Sequence, residues 1–241
     1  MSPQIALFNP RPTVRQIALG NGRACFVVDD ALVDPETLVQ YAQAHRNQFR
    51  LAPFNAYPGV ELPMPVEFSA RLDEFFMRHL RGLLNGRRTL RMNSRLSMVT
   101  LAPGELQARQ WICHRDSQEV PPDQCIAASV LYLFKDGALG GTSFYVPRQS
   151  ALDTDLLLHD ASTLANDAFA KKYAIHPGYF RGGNDYFACV GTVPARWNRM
   201  IFYDGSLFHS GDILAPERMS ADPLGGRLTL NGFFTCSRKA T

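Results

Sequence analysis

The feature that most constrains the fold of this chain is a series of short, strand-like segments that starts near residue 90 and continues to residue 236. The most apolar of them, Ile126 to Phe134, is typical of a central strand. Turn sequences such as Pro103-Gly104 and Lys135 to Gly141 separate the segments. Further strands are predicted at residues 90–101, 142–146, 187–193, 199–204 and 227–236. Short strands joined by turns predict an antiparallel sandwich or barrel.

The first 85 residues have a different pattern, which predicts helices. After a short strand at residues 24–28, Asp34 and Pro35 indicate a helix start, with the aspartate as cap, and that helix is expected to run to about Asn47. Residues 50–65 are rich in proline and are predicted as a loop. Apolar residues at helical spacing then predict a helix at residues 66–84. We therefore expect a mostly β fold with helical support.

The expected organisation is one domain over residues 1–241. Residues 1–85 would supply the strand and the support helices, and residues 86–237 would form the β core. Residues 148–186 interrupt the strand rhythm, with a helix expected at residues 160–172. An insertion of this length fits a binding lid or a cover for a sheet edge equally well.

The net charge and the cysteine content limit the kinds of partner and the compartment that the sequence suggests. The 25 basic and 22 acidic residues give a net charge of +3, which is too small to indicate a nucleic-acid or acidic-membrane partner. The five cysteines form no CxxC pair, so reduced thiols in a cytoplasmic protein are expected. No apolar run approaches the roughly 18 residues of a membrane span.

The triplet His114-Arg115-Asp116 is a candidate metal-binding motif. Residues two apart on a strand point to the same side, so one imidazole and one carboxylate can reach a common ion. Two histidines and one carboxylate leave adjacent positions open, which suits Fe(II) that binds a co-substrate and O2. The triplet alone is weak evidence, and its third partner must come from elsewhere in the chain.

The order of the motifs that follow strengthens this interpretation. After the triplet the chain contains Tyr132-Leu133-Phe134, Gly140-Gly141-Thr142-Ser143-Phe144, Asn198 to Gly205, Phe208-His209-Ser210-Gly211 and Gly226-Arg227-Leu228-Thr229-Leu230. Over residues 90–236 this order resembles the 2-oxoglutarate/Fe(II)-dependent dioxygenase superfamily, and within it the prolyl-hydroxylase-like branch. Each motif is loose, but five of them in the right order are specific.

The resemblance implies a double-stranded β-helix core of the jelly-roll or cupin-like kind. It implies that His114, Asp116 and His209 hold Fe(II), and that Arg227, with Thr229 and Tyr132, binds the co-substrate 2-oxoglutarate. An arginine suits that role because its guanidinium can grip a carboxylate through two parallel hydrogen bonds. Core packing, with the hydroxyl satisfied elsewhere, is the alternative role for Tyr132. The implied reaction uses O2, releases succinate and CO2, and hydroxylates a C–H bond of a peptide, an amino acid or another small molecule.

Two positions depart from the family pattern or stay open. The family often has a tyrosine where this chain has Leu101, so one co-substrate contact is missing or comes from another residue. Arg95 could enter the pocket and bind an anionic substrate, or it could lie in solvent on an edge strand, which we favour slightly.

Two other functional classes compete with the oxygenase. One is a non-catalytic cupin-like module that binds a metal or a ligand, and the other is a zinc hydrolase that uses the same three residues. Neither gives Arg227 a role.

Overall fold

The computed structural model describes residues 7–51, 56–116 and 120–238, and within these ranges the chain is mostly antiparallel β-structure with four α-helices. Residues 1–6 and 52–55 of the expected N-terminal support lie outside the described residues. The strands are β1 Val14–Ala18, β2 Ala24–Val28, β3 Arg50–Leu51, β4 Gly59–Pro63, β5 Gly86–Val99, β6 Gln124–Tyr132, β7 Thr142–Pro147, β8 Phe187–Val193, β9 Met200–Asp204, β10 Phe208–Gly211 and β11 Leu228–Arg238. The helices are α1 Glu36–Ala44, α2 Val66–His79, α3 Ala151–Thr163 and α4 Asn166–Tyr173.

The strands form two sheets that face each other. The large sheet has the order β1-β2-β9-β6-β11-β5-β4-β3, and the small sheet has the order β10-β7-β8. Beyond β5 the chain passes repeatedly between the sheets, and His114 joins the small sheet through an antiparallel bridge to His209. The mostly β fold with helical support and a double-stranded β-helix core is therefore as expected.

The two faces of the large sheet differ because successive side chains on a strand point to opposite sides. One face is apolar and packs on α1 and α2, where the rings of Phe76 and Phe234 stack with centroids 4.0 Å apart. The other face looks towards the small sheet. On that face Glu61, Ser97, Thr229 and Tyr132 are cross-strand neighbours on β4, β5, β11 and β6. A polar row therefore runs across the interior of the β core.

The outer face of the small sheet is covered by the insertion at residues 148–186. An apolar cluster joins side chains of the small sheet to the helices α3 and α4 and to the segment before His114; its members include Trp111, Tyr145, Phe169, Phe187 and Phe208. The helical part of the insertion thus covers a sheet face, whereas the sequence suggested a lid or the cover of an edge.

Three local expectations were wrong. The proline-rich segment 50–65 contains β4, which pairs with β5. The single helix expected at residues 160–172 is instead two helices, α3 and α4, and α3 is capped by Ser150, whose hydroxyl accepts a hydrogen bond from Asp153 N at 3.1 Å. Asp34 does not cap α1, because its carboxylate accepts from the Thr37 hydroxyl and not from a backbone N–H.

No helix in the described part of the chain is both long enough and apolar enough to span a bilayer.

Candidate metal centre

His114 and His209 are held together by their own backbones. Each donates its N–H to the carbonyl oxygen of the other, at N···O distances of 3.0 and 2.9 Å, and their ring centroids lie 4.4 Å apart. Two residues further on, Asp116 N donates to Gly205 O at 2.9 Å. The segment that carries the triplet is therefore tied to the turn and strand that carry His209.

These three side chains form a cluster of metal-ligand spacing. Nε2 of His114 lies 3.8 Å from Oδ1 of Asp116, and Nε2 of His209 lies 3.4 Å from Oδ2 of the same carboxylate. One candidate ligand atom from each residue lies within 4.8 Å of the other two. Bonds from such atoms to a first-row divalent metal are about 2.0–2.2 Å long, so small side-chain shifts of a few tenths of an ångström let a single ion reach all three.

The protonation pattern also fits a cation. The His209 Nδ1–H donates to the carbonyl oxygen of Leu207 at 2.9 Å, which leaves the lone pair of Nε2 directed at Asp116. Burial lowers the pKa of His209 to about 4, and partial burial beside the His209 ring also lowers the pKa of His114, so both rings are neutral near pH 7. The His114 side chain keeps 44% of its surface accessible, whereas that of His209 keeps only 7%.

Asp116 gives the strongest sign that a cation belongs at this site. Its side chain is 10% exposed, and Oδ2 is buried without a hydrogen-bond partner among the described residues. Burial raises the pKa of this carboxyl group above its usual value, as expected for an acid that lacks a permanent counter-charge. A buried carboxylate oxygen that faces a nitrogen lone pair is unfavourable unless a positive charge lies between them.

Arg227 occupies the same interior space as the cluster. Its side chain is buried, and it is fixed by main-chain oxygens of the glycine turn: Nε donates to Leu139 O at 3.1 Å and to Gly140 O at 3.2 Å, and Nη2 donates to Gly141 O at 2.8 Å. In the described part of the chain, Nη1 makes no hydrogen bond to another residue. The guanidinium is thus oriented by backbone and keeps one amino group for a ligand.

Close backbone packing requires glycine at position 140, and Gly211 shows how near Arg227 lies to the strand of His209. A Cβ on Gly140, whose φ is +87°, would lie 1.7 Å from Asp212 O. A Cβ on Gly211 would lie 3.5 Å from Nη2 of Arg227, and Gly211 is two residues along β10 from His209. Two residues of a strand span about 7 Å, which is comparable to the length of an extended five-carbon dicarboxylate.

Thr229 and Tyr132 lie beside Arg227, but their hydroxyl groups already have partners. The Thr229 hydroxyl donates to Ser97 O at 3.4 Å and accepts from Asn231 Nδ2 at 3.3 Å. The Tyr132 hydroxyl donates to the Thr142 hydroxyl at 2.8 Å, which matches the alternative role that its position allowed. A co-substrate contact from either residue stays a prediction.

Two tyrosines near Arg227 were missed by the sequence analysis. Burial raises the pKa of Tyr57 to about 12, although the charge of Arg227 acts in the opposite direction, so its hydroxyl stays protonated. Tyr179, from the loop that follows α4, donates its hydroxyl to Leu101 O at 2.6 Å. Leu101, at a position where the superfamily that the sequence resembles often has a tyrosine, was the only signal that a replacement was needed.

Arg95 is not on an edge strand. Strand β5 lies inside the large sheet between β11 and β4, and Arg95 pairs with Asn231 on one side and with Pro63 on the other. Its positive charge lowers the pKa of both His114 and Asp116, which places it on the same side of the sheet as the cluster. Our preference for a solvent-exposed edge position was therefore wrong.

Comparison with known proteins gives a family and a set of similar folds. Residues 10–234 match the model of a family described as "Family of unknown function (DUF6445)". No curated protein matches the chain.

Three of the similar solved structures cover most of the chain at low sequence identity. A prolyl-4-hydroxylase from Pseudomonas putida has a TM-score of 0.46 and 11% identity, over 91% of this chain and 95% of that one. HygX from Streptomyces hygroscopicus, with nickel, 2-oxoglutarate and hygromycin B bound, has a TM-score of 0.45 and 14% identity, over 89% and 83%. SnoK, a non-heme alpha-ketoglutarate-dependent carbocyclase from nogalamycin biosynthesis, has a TM-score of 0.48 and 14% identity, over 89% and 80%.

Proposed function

The chain belongs to the DUF6445 family, whose function is unknown, and from its site we propose that it is an oxygenase dependent on Fe(II) and 2-oxoglutarate. His114, Asp116 and His209 would hold the metal. When bound, the iron would activate O2 and couple the conversion of 2-oxoglutarate to succinate and CO2 to hydroxylation of a substrate C–H bond. The substrate would be a peptide, an amino acid or another small molecule.

One observation carries the proposal. Two neutral imidazole nitrogens and an unpartnered buried carboxylate oxygen converge on one point, in the same interior space as a buried arginine that the backbone orients. A metal-binding module or a zinc hydrolase needs only the three metal ligands. A dicarboxylate co-substrate that chelates the metal at one end needs the ligands and also the arginine, which binds its other end.

Residues around the metal would bind 2-oxoglutarate and shield the site from water. Nη1 of Arg227 would donate to the distal carboxylate of 2-oxoglutarate, and the protonated Tyr57 hydroxyl would donate to the same group in place of the tyrosine that Leu101 replaces. The hydrogen bonds that the guanidinium donates to carbonyl oxygens of the glycine turn hold it in this orientation. The buried rings of Phe144 and Tyr203 pack beside His209 and exclude water from that side of the site.

The test uses the metal and co-substrate directly. Purified protein is mixed anaerobically with Fe(II) and 2-oxoglutarate, and a weak visible charge-transfer band is expected, followed by succinate after oxygen is admitted. His209→Ala should lose the band and the succinate. His176→Ala, which removes an exposed histidine outside the cluster, should keep both.

Three results would contradict the proposal. A folded wild-type protein that gives no band with Fe(II) and 2-oxoglutarate is not an oxygenase of this class. Metal binding without any effect of 2-oxoglutarate would favour the metal-binding module, and hydrolytic activity with zinc would favour the hydrolase.

A further inference from the structure

Arg95 is a second interior arginine, and its backbone lies well away from that of Arg227. The register of β5 and β11 places Arg227 beyond the pair Leu228–Met98, so the two arginines are about four residues apart along the sheet. At roughly 3.3 Å per residue their backbones are about 13 Å apart in that direction. The charges of Arg227 and Arg95 both act to lower the pKa of Tyr57. Arg95 therefore faces a different part of the interior space.

The guanidinium of Arg95 is held by two neighbours that leave its outer edge open. Nε lies 2.8 Å from Oε1 of Glu61, and the Cζ atom lies 4.5 Å from the ring centroid of Phe233. The Arg95 side chain is 29% exposed, whereas that of Glu61 is 9% exposed. Neither Nη1 nor Nη2 makes a hydrogen bond to another residue in the three described ranges. An arginine with a fixed plane and two free amino groups is arranged to donate hydrogen bonds to the two oxygens of a carboxylate.

The surroundings favour an anion over a neutral acceptor. Strands β5 and β11 together carry five arginines and no acidic residue, and the neighbouring β6 carries no charge. One of these arginines, Arg91, lies on the same face as Arg95, four residues farther along β5, and is exposed. Arg91 and Arg95 thus make this end of the sheet face positive, and positive charge attracts anionic ligands.

We propose that Arg95 determines specificity by receiving an anionic group of the primary substrate, in the first place a carboxylate. Glu61 and Phe233 orient the guanidinium, and the substrate group binds at Nη1 and Nη2. The term primary substrate rests on the oxygenase function proposed above, whereas the anion site itself does not.

The test uses N-acetylglycine, a carboxylate, and its neutral amide as a matched pair of probes. Their binding is measured by calorimetry or ligand-observed NMR, both to the metal-free protein and to the protein loaded with Ni(II) and 2-oxoglutarate. The wild-type protein should bind the carboxylate saturably and the amide at least about tenfold more weakly, because a charge-assisted pair of hydrogen bonds is lost.

Arg95→Gln should weaken binding of the carboxylate by about tenfold or more. It should leave the affinities for Ni(II) and 2-oxoglutarate within about threefold, since Arg227 is unchanged. Arg71→Gln is the matched control, because it removes an exposed arginine from α2, on the opposite face of the large sheet. If Arg95→Gln does not fold because it leaves the Glu61 carboxylate buried, the double variant with Glu61→Gln replaces it.

Three outcomes overturn the inference: no saturable carboxylate binding by the wild type, equal binding by Arg95→Gln, or a loss of 2-oxoglutarate affinity as large as the loss for the probe. The last outcome would assign Arg95 to the co-substrate. A wild-type protein that binds N-acetylglycine through Arg95 but binds neither Ni(II) nor 2-oxoglutarate would overturn the oxygenase proposal and uphold the anion site.

Discussion

Replacing Asp116 with asparagine should stabilise the metal-free protein although it removes a metal ligand. In the metal-free state, Oδ2 of Asp116 is buried without a hydrogen-bond partner among the described residues, and it faces the lone pair of His209 Nε2 at 3.4 Å. The amide nitrogen of an asparagine at that position can donate to Nε2. The variant therefore replaces a repulsive contact with a hydrogen bond.

The expected gain follows from the environment of that oxygen. A buried acceptor left without a partner costs roughly 1–3 kcal/mol, and more when it is charged. A donor–acceptor distance of 3.4 Å is longer than the usual 2.7–3.2 Å, so the new bond is weak. We expect Asp116→Asn to raise the free energy of unfolding of the metal-free protein by about 1–2 kcal/mol. For a chain of this size each 1 kcal/mol corresponds to about 2–4 °C in Tm.

Bound metal should make the wild-type protein more stable than Asp116→Asn, the reverse of the order expected without metal. A divalent ion at about 100 times its Kd stabilises the wild-type protein by about 2.7 kcal/mol. The asparagine variant loses an anionic ligand, so it should gain little from the same concentration. The wild type should thus be the less stable protein with a chelator and the more stable one with Ni(II).

The assay is thermal unfolding at pH 8, with EDTA or with Ni(II), followed by circular dichroism. The high pH is chosen because burial raises the pKa of the Asp116 carboxyl group, and a higher pH favours its ionised form. Asp204→Asn is the matched control, because the Asp204 carboxylate already accepts a hydrogen bond from Ser206 N at 2.8 Å. A metal-free Asp116→Asn protein that is less stable than the wild type would refute the idea that this carboxylate is placed for a cation.

Further predictions concern the co-substrate side and the core. Arg227→Lys should weaken 2-oxoglutarate binding by at least about tenfold, because it loses the fork geometry, and should change Ni(II) affinity far less in calorimetry. Tyr57→Phe should raise the Kd for 2-oxoglutarate by about fivefold without a change in Ni(II) affinity, since one neutral hydrogen bond contributes roughly 1 kcal/mol. Gly140→Ala should destabilise the protein in urea unfolding by more than about 1 kcal/mol, because its φ is positive and the added Cβ would meet Asp212 O. Phe76→Ala should lower the free energy of unfolding by about 3–5 kcal/mol in the same assay and leave metal affinity unchanged in the folded protein.

Strands could be predicted from the sequence where the local residue pattern matches the structure that the segment adopts in the folded protein. The strand at residues 187–193 has the predicted bounds, and the late strand begins within one residue of its predicted start at residue 227. Strand β4 was missed because Pro58 and Pro63 surround it with loop signals. Pro63 is tolerated since it is the last residue of a strand next to the sheet edge, where only the two residues of β3 pair on its outer side.

The candidate site was predictable only where ligands follow each other in short motifs. The sequence pointed to His114, Asp116 and His209 through motif order, and the structure brings their ligand atoms together. It could not identify Tyr57, which is 170 residues before Arg227 in the chain and belongs to no motif. The position of Arg95 was misjudged because strand order, which decides whether β5 is an edge, depends on pairing with residues more than a hundred positions later.

The backbone pairing of His114 with His209 has a consequence for the rate of metal exchange. Because two reciprocal hydrogen bonds set the spacing of the two imidazoles, an incoming ion does not have to bring the two histidines together before it binds. Entry should then be limited by loss of water from the ion, and Ni(II), which sheds water slowly, should load more slowly than Fe(II). Two imidazoles and one carboxylate bind most first-row divalent ions in the Irving–Williams order and do not favour Fe(II), so the metal found in the purified protein should depend on the supply of ions during its expression.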